Sequence, residues 1–295
     1  MISQEFLDRV ECLEDVVYKR VKGLDMKLDL YRAKGGPAAP SPVLLLLHGG
    51  GWFRQDKKHE VVERFLNAEG ARVILEDGWQ IAAVEYRMLK DHAEFPDQLR
   101  DCCDAARYLI RNAGRYAIDP RNLFVGGSSA GGYAAVMMAS ETAKWTEDPE
   151  LAGVEVRPAA VVSFSGVLDV EWIVKSGDRK VDETGDGRIR YCMQCLLSHQ
   201  RLHDEALWKE SSPRSYLHSG SAPALIIYGT ADSLVTPDHA AALYREAKGM
   251  GLDWEELAVR NAEHNFAPAT AEEPTVPSAA GVYAAARDFL LRHRR

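Results

Sequence analysis

Apolar and polar positions alternate over residues 16–31 with a break at Gly23-Leu24-Asp25. That two-residue period predicts two antiparallel strands joined by a short turn. After a Gly-, Pro- and Ala-rich loop at 35–42 the pattern changes. Val43-Leu44-Leu45-Leu46-Leu47 is apolar at every position, as a central strand covered on both faces requires. Helical spacing predicts helices over 60–69, 97–112, 130–140, 237–248 and 279–292. Short apolar runs predict strands over 79–85, 123–126, 159–165, 224–228 and 254–259. Strand alternating with helix from residue 43 onward predicts a parallel sheet with right-handed crossovers. Residues 166–216 interrupt this rhythm with a stretch rich in charge, Ser and His, far longer than an ordinary connection. They are predicted to form a cap inserted into a single domain spanning 1–295.

The composition, 46% hydrophobic and 27% charged over 295 residues, is that of a globular protein and excludes disorder and coiled coil. With 36 Lys+Arg against 44 Asp+Glu, a net charge of −8 and scattered bases, no basic field for nucleic acid exists. Val43 to Leu47 is the most apolar run, about a quarter of the roughly 20 residues a membrane span needs. The first twenty residues mix acids and bases where a signal peptide would be apolar. A cytoplasmic protein with neither membrane nor nucleic-acid partner is therefore expected. Five cysteines, Cys12, Cys102, Cys103, Cys192 and Cys195, are too few for a disulfide scaffold and predict reduced thiols. Monomer and homo-oligomer both remain open.

Chemistry enters at Gly127-Ser128-Ser129-Ala130-Gly131, between a predicted strand and a predicted helix. This is G-x-S-x-G in the strand–turn–helix context of a nucleophile elbow. A Cβ at Gly127 or Gly131 would collide with neighbouring backbone in so tight a turn. Ser129 is preferred to Ser128, whose register would place Ala130 at the closing glycine position. A serine needs donors for the developing oxyanion. His48-Gly49-Gly50-Gly51-Trp52, directly after the buried strand, supplies uncovered backbone N–H groups. Gly50, Gly51 and Ala130 are the candidate oxyanion donors. G-x-G-x-x-G and Walker phosphate patterns are absent from that loop. An acid and a base are then expected downstream, in that order. Asp232 follows the strand 224–228, and His264 follows the strand 254–259. All of these groups fall at the C-terminal ends of parallel strands, where such sheets bind ligands.

HGGGW, GSSAG, GTADSLV and EHNF in this order resemble the α/β-hydrolase superfamily. More narrowly, they are similar to its esterase/lipase branch with an HGGG oxyanion loop, which includes hormone-sensitive-lipase-like and carbohydrate-esterase-like members. The resemblance runs from about Val16 onward. It includes Glu85-Tyr86-Arg87, Phe95-Pro96, Asp101 and Ile118-Asp119-Pro120 as framework. It implies an α/β-hydrolase fold: a mostly parallel central sheet with helices on both faces, N-terminal antiparallel strands and an inserted cap. It further implies a Ser129 nucleophile, a His264 base, an Asp232 acid, a small-molecule ester substrate, and neither metal nor organic cofactor. Ser128 stands where many relatives have Asp, and Asn265 where many have Gly.

Other groups are read as structural. Cys192, Cys195, His199 and His203 spell C-x2-C-x3-H-x3-H, but on one helix the end residues would lie about 16 Å apart, too far for one zinc ion. A cap helix over the site mouth is expected instead. His48 is assigned to bracing its loop, Asp101 to helix pairing, and Cys102-Cys103 to core packing. His59, His92, His218 and His239 are assigned to the surface, and Trp52 and Trp172 are candidates for the substrate pocket. The expected reaction is hydrolysis of a small or short-chain carboxylic ester. The alternatives are an amide-cleaving relative, such as an aryl formamidase or acyl-peptide hydrolase, and a non-catalytic binding protein on the same scaffold.

Overall fold

The computed structural model describes residues 8–37, 39–53, 56–57, 65, 74–175, 188–198 and 201–295. Its strands are β1 (Val10–Val21), β2 (Leu24–Ala33), β3 (Ser41–Leu47), β4 (Gln80–Val84), β5 (Ile118–Ser128), β6 (Val161–Phe164), β7 (Ala224–Gly229) and β8 (Trp254–Val259). They form one sheet in the order β1-β2-β4-β3-β5-β6-β7-β8. β1 and β2 pair antiparallel around Lys22-Gly23, both with positive φ; such a turn twists with its strands and suits glycine. β2 runs antiparallel to β4, and every pairing from β4 onward is parallel.

The uninterrupted apolar run of β3 has a direct physical reading. Val43, Leu45 and Leu47 enter one core and Leu44 and Leu46 the other, because successive strand residues face opposite sides. The first core is closed by α1 (Asp97–Arg111), α2 (Ala130–Ser140) and α5 (Asp238–Gly249), and the second by α6 (Ala279–Arg292). α1 buries Leu99, Cys102, Cys103, Ala106 and Leu109 on one side. Burial pushes the Cys103 thiol up to about 12, so it stays protonated and behaves as a small apolar side chain. The helix expected over 60–69 lies outside the described residues except for Phe65, which is helical. Among the described residues no helix is long and apolar enough to cross a membrane.

Between β6 and β7 the chain forms a helical turn at 170–175, α3 (Arg188–Leu197), α4 (Glu205–Glu210) and a 3-10 turn at Pro213–Tyr216. Asp204 caps α4, accepting from the backbone N–H groups of Ala206 and Leu207 at 3.1 Å each. Val167, Leu168, Val170, Ile173, Met193 and Leu196 extend the first core into this segment.

Asp101 does not pair helices. It joins α1 to the strands, because its neighbours are cations carried by β1 and by the segment after β4. Lys19 Nζ lies 2.7 Å from Asp101, 3.0 Å from Asp104 and 3.0 Å from Glu147. Arg87 donates its Nε and Nη2 to the two oxygens of Asp101 at 2.8 Å, and its backbone N–H at 2.9 Å. Burial alone would raise the Glu147 carboxyl, yet Lys19 and Arg87 hold it below the ordinary glutamate range. Its contribution to stability is therefore full above that range and lost as pH falls through the lowered value. Asp101→Ala removes the buried carboxylate that Lys19 and Arg87 share, leaving Lys19 with Asp104 and Glu147 and Arg87 with Glu147, and is expected to cost about 3 kcal/mol, read from urea denaturation. Loss of the exposed Arg157–Glu155 pair should leave the midpoint unchanged.

Candidate active site

β5 runs into α2 through Ser129, which adopts φ +53° and ψ −115°, a backbone conformation that costs a non-glycine residue energy. Ser128 is the last residue of β5, so the strained position at the elbow belongs to Ser129. The surrounding glycines have steric causes. A Cβ on Gly127 would strike the Gly131 carbonyl, and one on Gly131 would strike the carbonyls of Leu47 and His48. Helix α2 is thereby seated directly on the end of β3.

That contact places the glycine loop beside the elbow. Gly50, Gly51 and Trp52 all have positive φ (105°, 59° and 62°), a turn that only glycine adopts without strain at its first two positions. Tyr86 donates its hydroxyl to the His48 carbonyl at 2.7 Å and stacks on the His48 ring at 4.1 Å between centroids. His48 is fully buried, consistent with a bracing role. Arg87, held by Asp101, adjoins Tyr86 in the chain, so the ion network anchors the support of this loop.

β7 and β8 deliver the remaining pair. The His264 Nδ1–H donates to Asp232 Oδ2 at 2.8 Å, because a carboxylate only accepts; in the neutral ring this tautomer leaves Nε2 as the acceptor nitrogen. Asp232 Oδ1 accepts the backbone N–H groups of Leu234 (3.0 Å) and Val235 (2.8 Å), which fixes the carboxylate against rotation. Their loops are joined by Glu263, whose Oε2 accepts from the Ser233 backbone (3.1 Å) and hydroxyl (3.0 Å). Gly229 packs where a Cβ would meet the Ala262 carbonyl. The role of Glu263 escaped the sequence reading, although it directly precedes His264.

Ser129, His264, Gly50, Gly51 and Trp52 line one cavity of about 500 Å³; Ala130 is the first residue of α2, and Asp232 lies behind His264. Its walls are mostly aromatic and aliphatic. Phe65, Phe164, Phe266 and Tyr283 form one side, with ring centroids 5.6 to 6.4 Å apart. Phe53, Ile189, Tyr191 and Cys192 form the other. Among the described lining residues there is no Asp, Glu, Lys or Arg. These walls escaped the sequence reading because their residues are scattered along the chain and were each legible only as core.

Three expectations are corrected. Trp172 does not line this cavity: it is 41% exposed, on a turn whose Asp169 carboxylate accepts the Trp172 backbone N–H at 2.9 Å. His239 is buried rather than on the surface, at 1% exposure. Its ring nitrogens face the carbonyl oxygens of Thr236 (2.5 Å) and Gly166 (3.2 Å), and burial lowers its pKa. It sits in the first turn of α5, packed between the acid loop and the end of β6. The Cys192–His203 stretch is not one helix: α3 stops at Leu197, and Ser198 has φ +67°. Cys192 faces the cavity, Cys195 is buried, and His199 lies outside the described residues. Among the described residues no group of three or more His, Cys, Asp or Glu is arranged to hold a metal ion.

A parallel sheet with antiparallel N-terminal strands, a serine elbow and an Asp–His pair on successive strand ends define the α/β-hydrolase fold. The chain belongs to the BD-FAE family, whose model matches residues 28–247. It is similar to Esterase LipQ of Mycobacterium tuberculosis, 24% identical over 248 residues, covering 83% of this chain and 55% of that protein. It is also similar to Ethyl acetate hydrolase of Pseudomonas putida, 27% identical, covering 88% of this chain and 77% of that protein. The chain spans about half the length of LipQ and of Esterase LipC from the same mycobacterium. Among solved structures, the Thermogutta terrifontis esterase Est2 superposes with a TM-score of 0.72 at 22% identity, covering 95% of this chain and 91% of that one. A truncated carbohydrate esterase from gut microbiota gives 0.72 at 19% identity, covering 99% and 98%.

Gly131→Ala forces a methyl group into two backbone carbonyls and is expected to cost about 3 kcal/mol or more of stability, measured by thermal and urea unfolding. Gly153→Ala, where a Cβ has open space, serves as the neutral control.

Proposed function

We propose that this chain is a serine hydrolase of carboxylic esters with small or short-chain acyl groups, one hydrolase domain with residues 166–216 as its cap. The observation that carries the reading is the Asp232–His264 hydrogen bond in the cavity lined by the strained Ser129. Ser129 Oγ attacks the ester carbonyl carbon while His264 Nε2 takes its proton, and Asp232 holds the imidazole in that tautomer and stabilises its charge. The carbonyl oxygen, now an anion, accepts hydrogen bonds from the N–H groups of Gly50, Gly51 and Ala130. Each such donor is worth about 3 kcal/mol in the transition state. Collapse expels the alcohol, which receives the proton from His264. Water then attacks the acyl-enzyme with His264 again as base, releasing the acid and restoring Ser129.

The lining bears on substrate choice. With no carboxylate, ammonium or guanidinium among the described lining residues, a charged acyl group would lose its hydration without a partner among them. Neutral esters fit this wall. The five free cysteines support the same reading's cytoplasmic site of action.

The test is hydrolysis of p-nitrophenyl esters from acetate to long chains, beside Ser129→Ala and Asp232→Asn. Turnover should fall with chain length, disappear in Ser129→Ala with the melting temperature retained, and drop about 10⁴-fold in Asp232→Asn. Full activity of folded Ser129→Ala would overturn the assignment, and exclusive cleavage of matched anilides would move it to amides. A hemisuccinate ester should be cleaved at least about tenfold less efficiently than the butyrate of the same alcohol. Equal kcat/KM values would refute the argument from the uncharged lining.

A further inference from the structure

His264 sits at the tip of a short turn. Ala262 and Pro268 pair as an antiparallel bridge. The Glu263 N–H donates to the Ala267 carbonyl at 2.9 Å, and the Phe266 N–H donates to the Glu263 carbonyl at 2.9 Å. Phe266, with φ +61°, sets a buried ring edge-on to Phe164 at 6.4 Å between centroids. This turn is fastened to the acid loop at two levels. At its root the Ala231 N–H donates to the Ala262 carbonyl at 3.0 Å. Nearer the tip, Glu263 Oε2 accepts both the backbone N–H of Ser233 at 3.1 Å and its hydroxyl at 3.0 Å. Ser233 directly follows Asp232, and Glu263 directly precedes His264. The 2.8 Å Asp232–His264 hydrogen bond is thus flanked, one residue along on each loop, by a second carboxylate bridge.

We propose that Glu263 is a positioning residue. Its carboxylate holds the His264 turn to the acid loop and keeps the imidazole in line between Asp232 and Ser129 while the ring takes up and returns a proton. The bridge lies open to solvent, where water competes for the same groups, so it adds little to stability. Its effect is on geometry. Misplacing a reacting group by about 1 Å can cost about a hundredfold in rate. Glu263 shares a peptide unit with His264, so anchoring its side chain fixes the backbone from which the imidazole extends. Leu234 and Val235 pin the Asp232 carboxylate; Glu263 does the corresponding work for its partner. One oxygen of Glu263 takes both contacts, so the bridge requires an acceptor at that reach rather than a charge. The part played in turnover rests on the proposed hydrolase activity, whereas the fastening of the ring does not.

The experiment compares Glu263→Ala, Glu263→Gln and Ser233→Ala with the wild type in two readouts. One is hydrolysis of p-nitrophenyl acetate. The other is solvent exchange of the downfield His264 Nδ1–H proton resonance, identified by its absence from His264→Ala. In Glu263→Ala, kcat should fall at least about tenfold with KM within about twofold of wild type, and the melting temperature should be unchanged. Its Nδ1–H should exchange at least about fivefold faster, as a less firmly held hydrogen bond opens more often. Glu263→Gln keeps an acceptor oxygen and should retain at least about half of the wild-type kcat. Ser233→Ala keeps the backbone N–H, so its effect should be smaller, and combining it with Glu263→Ala should cost less than the product of the single effects. Unchanged kcat or unchanged exchange in Glu263→Ala, a Gln variant as slow as the Ala variant, or strictly multiplicative effects would overturn the proposal. If the wild type cleaves no ester, the hydrolase reading fails by itself. Exchange of the His264 proton in the same variants then judges the positioning role.

Discussion

The candidate site rests on a contact between bare backbones. Gly131, in the first turn of α2, lies against the carbonyls of Leu47 and His48 at the end of β3, and Gly127 lies against Gly131 itself. No side chain fits in either gap. With the contact made, the end of β5, the start of α2 and the glycine loop after β3 converge, and Ser129 is driven into its strained conformation between them. The strain persists because β3 and β5 are paired along their length and buried on both faces, so the surroundings over-determine the turn.

A second framework supports the first from behind. Lys19, Arg87, Asp101, Asp104 and Glu147 form a buried ion network joining β1, the segment after β4, α1 and the chain before β6. Buried ion pairs add little net stability compared with well-packed apolar residues, but breaking one is costly. Here the geometry gives the network a task. Arg87 is fixed by Asp101, Tyr86 precedes it, and the Tyr86 hydroxyl and ring hold His48 at the entrance to the glycine loop. The support of the glycine loop thus reaches back to charges buried between α1 and the strands.

The site itself is a polar line on an apolar bowl. Asp232 accepts from two backbone N–H groups and the His264 ring, and Glu263 ties the acid loop to the histidine loop. Around them stand the aromatic rings of Phe65, Phe164, Phe266 and Tyr283 and side chains of α3, with no Asp, Glu, Lys or Arg among the described lining residues. Apolar surroundings of this kind strengthen hydrogen bonds made within them.

The sequence by itself determined the local parts. The two-residue period at 16–31, the solid apolar run at 43–47 and the alternation of strand and helix thereafter were enough for the sheet, because each pattern reports which faces are buried. The glycines at 127 and 131 and the triple glycine at 49–51 signalled close backbone approach by residue type alone. Asp232 and His264 were legible from their places after successive strands. Tertiary structure decided what depends on distance between remote residues. It made Asp101 a partner of β1 and the segment after β4 rather than of another helix. It buried His239 under the acid loop, put Trp172 outside the cavity and ended α3 before His203. It also gathered Phe65, Phe164, Phe266 and Tyr283 into one wall. Periodicity records that a side chain is buried; which neighbours bury it is settled by sheet order and crossovers, which bring residues far apart in the chain into contact.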